Sequence, residues 1–136
     1  MLRHMKKPEK PEKFSSELSQ SHAAAVLTKA LLRSAKLLDL SNAELAQVLG
    51  VSDSSISRLL AQGRQIDPAS KEGELALLLV RLYRSLDAMV GGDNDQRVAW
   101  LRSNNRSLNG CPATLIGSAT GLVNTVAYLD SARATL

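Results

Sequence analysis

Aromatic side chains are scarce in this 136-residue chain: one Trp, two Tyr and one Phe, 3% of the whole. β-Branched residues rarely alternate with polar ones, so there is little to build a sheet from. Cys111 is the only cysteine, and His4 and His22 are the only histidines. An internal disulfide and a Cys/His zinc site are therefore excluded, and a reducing cytoplasm is expected. Cys111 reads as a small packed residue rather than a nucleophile, because no histidine stands in its half of the chain. No glycine-rich phosphate loop and no carboxylate pair on an evident cleft appear, so neither an enzyme nor a cofactor is expected. The most apolar stretch, Leu75 to Val90, is interrupted by Arg81 and Arg84, which excludes a membrane span. Residues 1–14 are too charged and proline-rich to be a signal peptide.

The net charge of +4 comes mostly from the front of the chain. Residues 1–14 carry five basic and two acidic side chains, whereas residues 15–136 carry twelve and eleven. "KKPEKPEK" is too polar to fold alone, and residues 1–20 are expected to form a flexible basic arm, either a solvated tail or one that brushes phosphates. From the His4-Met5 junction, residues 1–4 are expected to be a vector remnant and Met5 the natural start. Overall charge is accordingly weak evidence for a nucleic-acid partner.

Ala, Leu, Arg and Glu dominate after residue 20, and the periodicity is helical throughout. A first helix is expected from Ser21 to Leu38, with Val26, Ala30, Leu31, Ala35 and Leu38 on one stripe. Ser41 with Glu44 three residues later forms a capping box for a second helix, Asn42 to Leu49, stopped by Gly50. Ser52 caps a third, Asp53 to Gln62, stopped by Gly63. Lys71 to Val90 reads as a long helix whose "LALLLV" segment is apolar nearly all round: the central post of the core, a dimer seam, or both. Leu75, Leu78, Leu79, Leu82 and Leu86 are its candidate self-association residues. A short helix follows from Asp93 or Asn94 to Ser103. Then come an "NNRSLNG" turn, a helical turn opened by Pro112 and a last helix capped by Ser118 or Thr120. The expected divisions are an arm (1–20), a helix-turn-helix unit (21–70), a core or dimerisation helix (71–92) and a C-terminal subdomain (93–136).

In "LSNAELAQVLGVSDSSISRLLAQG", small Ala46 allows two helices to cross closely, Gly50 makes the tight turn, and Val51 plugs inward. Leu45, Leu49, Ile56 and Leu59 or Leu60 clamp the unit to the first helix. The segment resembles the Xre/lambda-repressor family of DNA-binding domains over about residues 22 to 66. In that family the start of the third helix enters the major groove. The resemblance implies that Ser54, Ser55 and Ser57 face base edges with Asp53 beside them, and that Asn42 holds a neighbouring phosphate or side chain. It also implies that Arg58, Arg64 and Ser52 meet phosphates. Residues 15–73 balance six basic against six acidic side chains, so a single copy has thin electrostatic footing on DNA. The rival reading is a trihelical scaffold that scarcely binds DNA alone, and a dimer would repair much of the deficit.

Residues 95 to 134, "WLRSNNRSLNGCPATLIGSATGLVNTVAYLDSAR" among them, look like the toxin-binding domain of the Xre/MbcA/ParS antitoxins. The matched features are Trp100-Leu101, the Asn105 to Gly110 turn, Pro112, Leu115, Gly121, Val126, Leu129 and the closing Ala-Arg. Asn104-Asn105 stands where the family more often has Pro-Asn. The resemblance implies an all-α protein: a lambda-repressor-like helix-turn-helix bundle followed by a small helical toxin-binding subdomain. It implies a bacterial type II antitoxin that silences a RES or ParT toxin acting on NAD and represses its own operon as a complex. The expected partners are that toxin, operator DNA and a second copy or higher hetero-oligomer. The antitoxin's C-terminal end would obstruct the toxin's active-site entrance, through Tyr128, Asp130, Arg133 and Leu136, with Asn105 and Arg106 either further contacts or, more in keeping with their sequence, plain turn residues. Arg133 is equally readable as a solvated arginine favouring a helix C-terminus. The alternative for the whole chain is a stand-alone, dimeric Xre-type repressor.

Overall fold

The computed structural model describes residues 11–134 and is all-α. Among the described residues seven helices follow one another: α1 (Pro11–Leu37), α2 (Asn42–Leu49), α3 (Asp53–Leu60), α4 (Lys71–Met89), α5 (Asn94–Arg102), α6 (Pro112–Leu115) and α7 (Ala119–Ala134). Each cap follows local chemistry. Ser41 Oγ accepts the amide of Glu44 while the Glu44 carboxylate accepts the amide of Ser41, completing the box that opens α2. Gly50 then turns left-handed at φ 66° and lets the chain leave α2 sharply. Ser52, Ser70 and Asp93 accept amides at the starts of α3, α4 and α5, and Ser118, not Thr120, does so for α7.

Two boundaries differ from the reading of the sequence. The segment expected to be a flexible arm up to residue 20 is helical over its described part, residues 11–20. The expected arm's residues 1–10, with His4, lie outside the described residues. The second difference is at the end of α3, where Gln62 takes the left-handed turn at φ 61° in place of Gly63. The Gly63 amide then closes onto the carbonyl of Arg58 at 2.8 Å.

The buried side chains form one continuous core. Leu31 of α1, Leu38 just past its end, Ile56 and Leu59 of α3, and Leu122 and Leu129 of α7 are all sealed from solvent. Between them stands α4, which packs on α1, α2 and α7. Its all-round apolar sequence is thereby explained: the helix faces both halves of the chain at once. Each such side chain contributes roughly 1.5–3 kcal/mol when fully buried.

That packing corrects the assignment of α4 as a self-association seam. Leu79, Leu82 and Leu86 are wholly inside the single chain, and Leu75 and Leu78 are half-buried against the same core. Only Leu77 of this run projects, 61% exposed. Val26, expected on the inner stripe of α1, also points outward, and Leu27 takes its place. Of the two leucines that close α3, Leu59 is buried and Leu60 exposed.

A polar clasp reinforces the shared core. Arg97 of α5 is 3% exposed, yet every face of its guanidinium is used. It donates to Asp87 at 2.6 Å, to Asn94 at 2.7 Å and to the Leu37 carbonyl that ends α1 at 3.0 Å, and it lies over the Tyr83 ring. A buried charge is tolerable only when satisfied in this way. The Arg97→Ala variant is expected to lose about 3 kcal/mol of stability, because a carboxylate and a helix-end carbonyl lose their donor. Urea unfolding of both proteins, followed at Trp100 and by far-ultraviolet circular dichroism, checks this. The two signals should move together, since the halves share one core.

Candidate DNA and toxin interfaces

The helix-turn-helix surface is built by α2 and α3. Ser54, Ser57 and Arg58 are exposed along α3, with Asp53 at its first position and Ser52 at its cap. The hydroxyls are held locally: Ser52 Oγ and Ser54 Oγ lie 3.0 Å apart, and Ser57 Oγ donates to the Asp53 carbonyl at 3.2 Å. Each hydroxyl retains acceptor capacity toward an incoming donor. Asn42 is exposed at the first position of α2, and Arg58 pairs with no carboxylate among the described residues. Ser55 is half-buried and its amide closes the cap on Ser52.

Arg64 stands apart from the phosphate contact expected of it. Its guanidinium forms a fork on Glu72 at 2.7 and 2.8 Å, and its Nε donates to the Ser55 carbonyl at 3.1 Å. Both side chains of the pair are less than a fifth exposed. Arg64 thus braces α3 against the first turn of α4, a strut rather than a free cation.

Arg102 was not singled out from the sequence. From the end of α5 it forks onto the Glu44 carboxylate and donates to the Asp39 carbonyl at 2.6 Å. Asp39 holds a left-handed turn at φ 55°, so Arg102 fastens the α1–α2 corner. The guanidinium beside Glu44, aided by the Ser41 amide, pulls its carboxyl down to about 2 from an ordinary 4.5, against the opposing effect of burial. No local signal marks this contact, because its partners lie 58 and 63 residues away.

At the other end, the "NNRSLNG" segment closes as a tight hairpin. The Asn105 and Gly110 backbones exchange hydrogen bonds of 2.8 and 3.2 Å, Asn105 Oδ1 accepts the Leu108 amide, and Asn109 turns left-handed. The half-buried Asn105 is therefore a turn-former, while Arg106 stands exposed at the tip. Cys111 is half-buried and donates to the Leu101 carbonyl. Gly121 admits the α6 end against α7: a Cβ there would lie 1.9 Å from the Leu115 carbonyl oxygen.

On α7, Tyr128 stacks on Trp100 with ring centres 6.2 Å apart. Asp130 is drawn inward, accepting from Ser85 Oγ at 2.8 Å and from Arg81. It latches α7 to α4 rather than standing free. Arg133 is exposed in the last turn, and Leu136 lies outside the described residues. Asp130 and Arg133 lie where α7 meets α4, Tyr128 faces α5 through Trp100, and Arg106 sits on the hairpin.

The two halves of the chain match known family models. Residues 17–81 match the antitoxin Xre-like helix-turn-helix domain, and residues 85–134 match the antitoxin Xre/MbcA/ParS C-terminal toxin-binding domain. The chain belongs to the Xre/MbcA/ParS antitoxin family. The first match reaches past the expected residue 66 and takes in most of α4, while the second begins within α4, so the post belongs to both. No curated protein matches the chain. Neither matched domain is of a catalytic family. Among the described residues, no group of His, Cys, Asp and Glu is arranged to hold a metal ion, and no helix is long and apolar enough to cross a membrane.

Two outcomes follow for this antitoxin. Glu44 has a folded-state pKa below its unfolded one, so its contribution is fully present above about pH 4.5 and disappears as the pH falls toward 2. Glu44→Gln keeps the capping hydrogen bond but loses the charge pair. The variant is expected to be on the order of 1 kcal/mol less stable at neutral pH. In urea titrations the gap should narrow between pH 4.5 and 2. Gly121→Ala drives a methyl into the Leu115 carbonyl and should cost roughly 1–3 kcal/mol or more, read as a lower thermal midpoint.

Proposed function

We propose that this antitoxin neutralises a NAD-consuming toxin of the RES or ParT kind by laying the α5–α7 end of the molecule over the toxin's active-site entrance. The same pair represses its own operon through α3. The observation that carries the reading is the union, on one core, of a helix-turn-helix and a toxin-binding domain. A stand-alone repressor leaves α5–α7 without a task.

On the toxin side, Arg133 is the leading contact. It is exposed, and a guanidinium suits either a pocket shaped for a phosphate or a toxin carboxylate. Tyr128 offers the exposed edge of its stack with Trp100, and Arg106 the hairpin tip. Asp130 acts indirectly, by fixing α7 on α4. On the DNA side, Ser54 and Ser57 face base edges, while Ser52, Asn42 and Arg58 meet the backbone. Arg64 and Arg102 hold α3 and the start of α2 in position for that contact. With only Arg58 unpaired on α3, affinity depends on bringing two copies to one operator, directly or through the toxin.

The protein encoded by the reading frame adjoining this chain's gene, expressed alone, should deplete cellular NAD and stop growth. Co-expression with the full-length antitoxin should restore both, and Arg133→Glu should restore them less. Growth arrest without NAD loss would exclude a NAD-consuming toxin. For DNA, Arg58→Ala should weaken operator binding several-fold and reduce the slope of log affinity against log salt by about one. Unchanged binding in a filter or anisotropy titration removes Arg58 from the interface.

A further inference from the structure

Between α4 and the last turns of α7 runs a groove of about 420 Å³. Its floor is Val80 and Ser85, both buried, and the exposed Leu77 stands as a wall. Three arginines surround it, Arg81, Arg84 and Arg133, against a single acid, Asp130. That one carboxylate is already spent on Arg81 and Ser85. Arg84 and Arg133 pair with no carboxylate among the described residues. An apolar strip with two uncompensated guanidinium groups on its rim is built for a chain that brings carboxylates and an apolar side chain together.

We infer that this groove is a docking site for an acidic segment of the toxin, which sets an apolar side chain on Leu77 and Val80 and carboxylates on Arg84 and Arg133. The inference rests on the proposed toxin-neutralising role and adds to it a contact made by α4. Leu77 and Arg81 fall within the match to the helix-turn-helix domain, and Arg133 within the match to the toxin-binding domain. The toxin therefore grips both halves across the junction between them. Duplex DNA is the less suited occupant. Leu77 and Val80 offer a phosphate backbone nothing, and α3 reaches α4 through Glu72, twelve residues or about 18 Å along the helix from Arg84.

The test uses the full-length antitoxin and the purified protein of the adjoining reading frame, with binding measured by calorimetry at low and high salt. Arg84→Glu should weaken binding at least about tenfold at low salt, and the loss should shrink at high salt. Leu77→Asn should weaken it comparably at both, since it removes an apolar contact without adding a charge. Both positions are exposed, so melting temperatures should stay near that of the unaltered chain. Lys71→Glu, the same charge reversal one end of α4 away, should bind normally.

Normal binding by both groove variants while Arg133→Glu is impaired would overturn the groove and leave the neutralising role intact. Normal toxin binding with lost operator binding would make the groove a phosphate surface and overturn it equally. If the unaltered antitoxin itself fails to bind the neighbouring protein, the neutralising role falls and the groove with it.

Discussion

Everything in this molecule leans on α4. A helix with leucine, valine and alanine on nearly every side cannot sit at a surface, and it cannot be buried by one neighbour alone. Here α1 and α2 cover one side and α7 another, so the helix-turn-helix and the toxin-binding parts are folded around the same post. Neither part has a complete core without it. The two family matches meet within this helix for the same reason.

On that post, polar contacts set the angles. Arg97 and Arg102, both on α5, reach across to the corner between α1 and α2, one buried and fully satisfied, the other forked on the capping carboxylate. Arg64 does the same for α3 from the loop before α4. Guanidinium groups suit this task because a planar fork fixes direction as well as distance. The arginines that a sequence reading assigns to DNA or toxin are thus divided by the fold. Arg64 is structural, while Arg58, Arg106 and Arg133 remain at the surface.

This division explains how a chain with a modest charge excess presents two binding surfaces of different kind. The α3 face is a row of small hydroxyls with one free arginine, suited to close approach but thin in charge. The α4/α7 face is strongly cationic with an apolar strip. On the proposed reading, the second face takes protein and the first takes DNA.

The order of helices, their caps, the Gly50 turn, the Pro112 start and the family resemblance were all legible in the linear chain. Each of these depends on residues within a few positions of one another. What the chain could not disclose alone was the fate of side chains whose partners are remote. The leucines of α4 read equally as core or dimer seam, because periodicity reports how many sides are apolar and not what covers them. Arg64, Asp130 and Arg102 looked like free charges, or went unnoticed, until packing brought Glu72, Ser85, Glu44 and the Asp39 carbonyl to them. Local chemistry decided where helices start and stop; only tertiary packing decided which charges were left over for a partner, since pairing is a matter of distance in space.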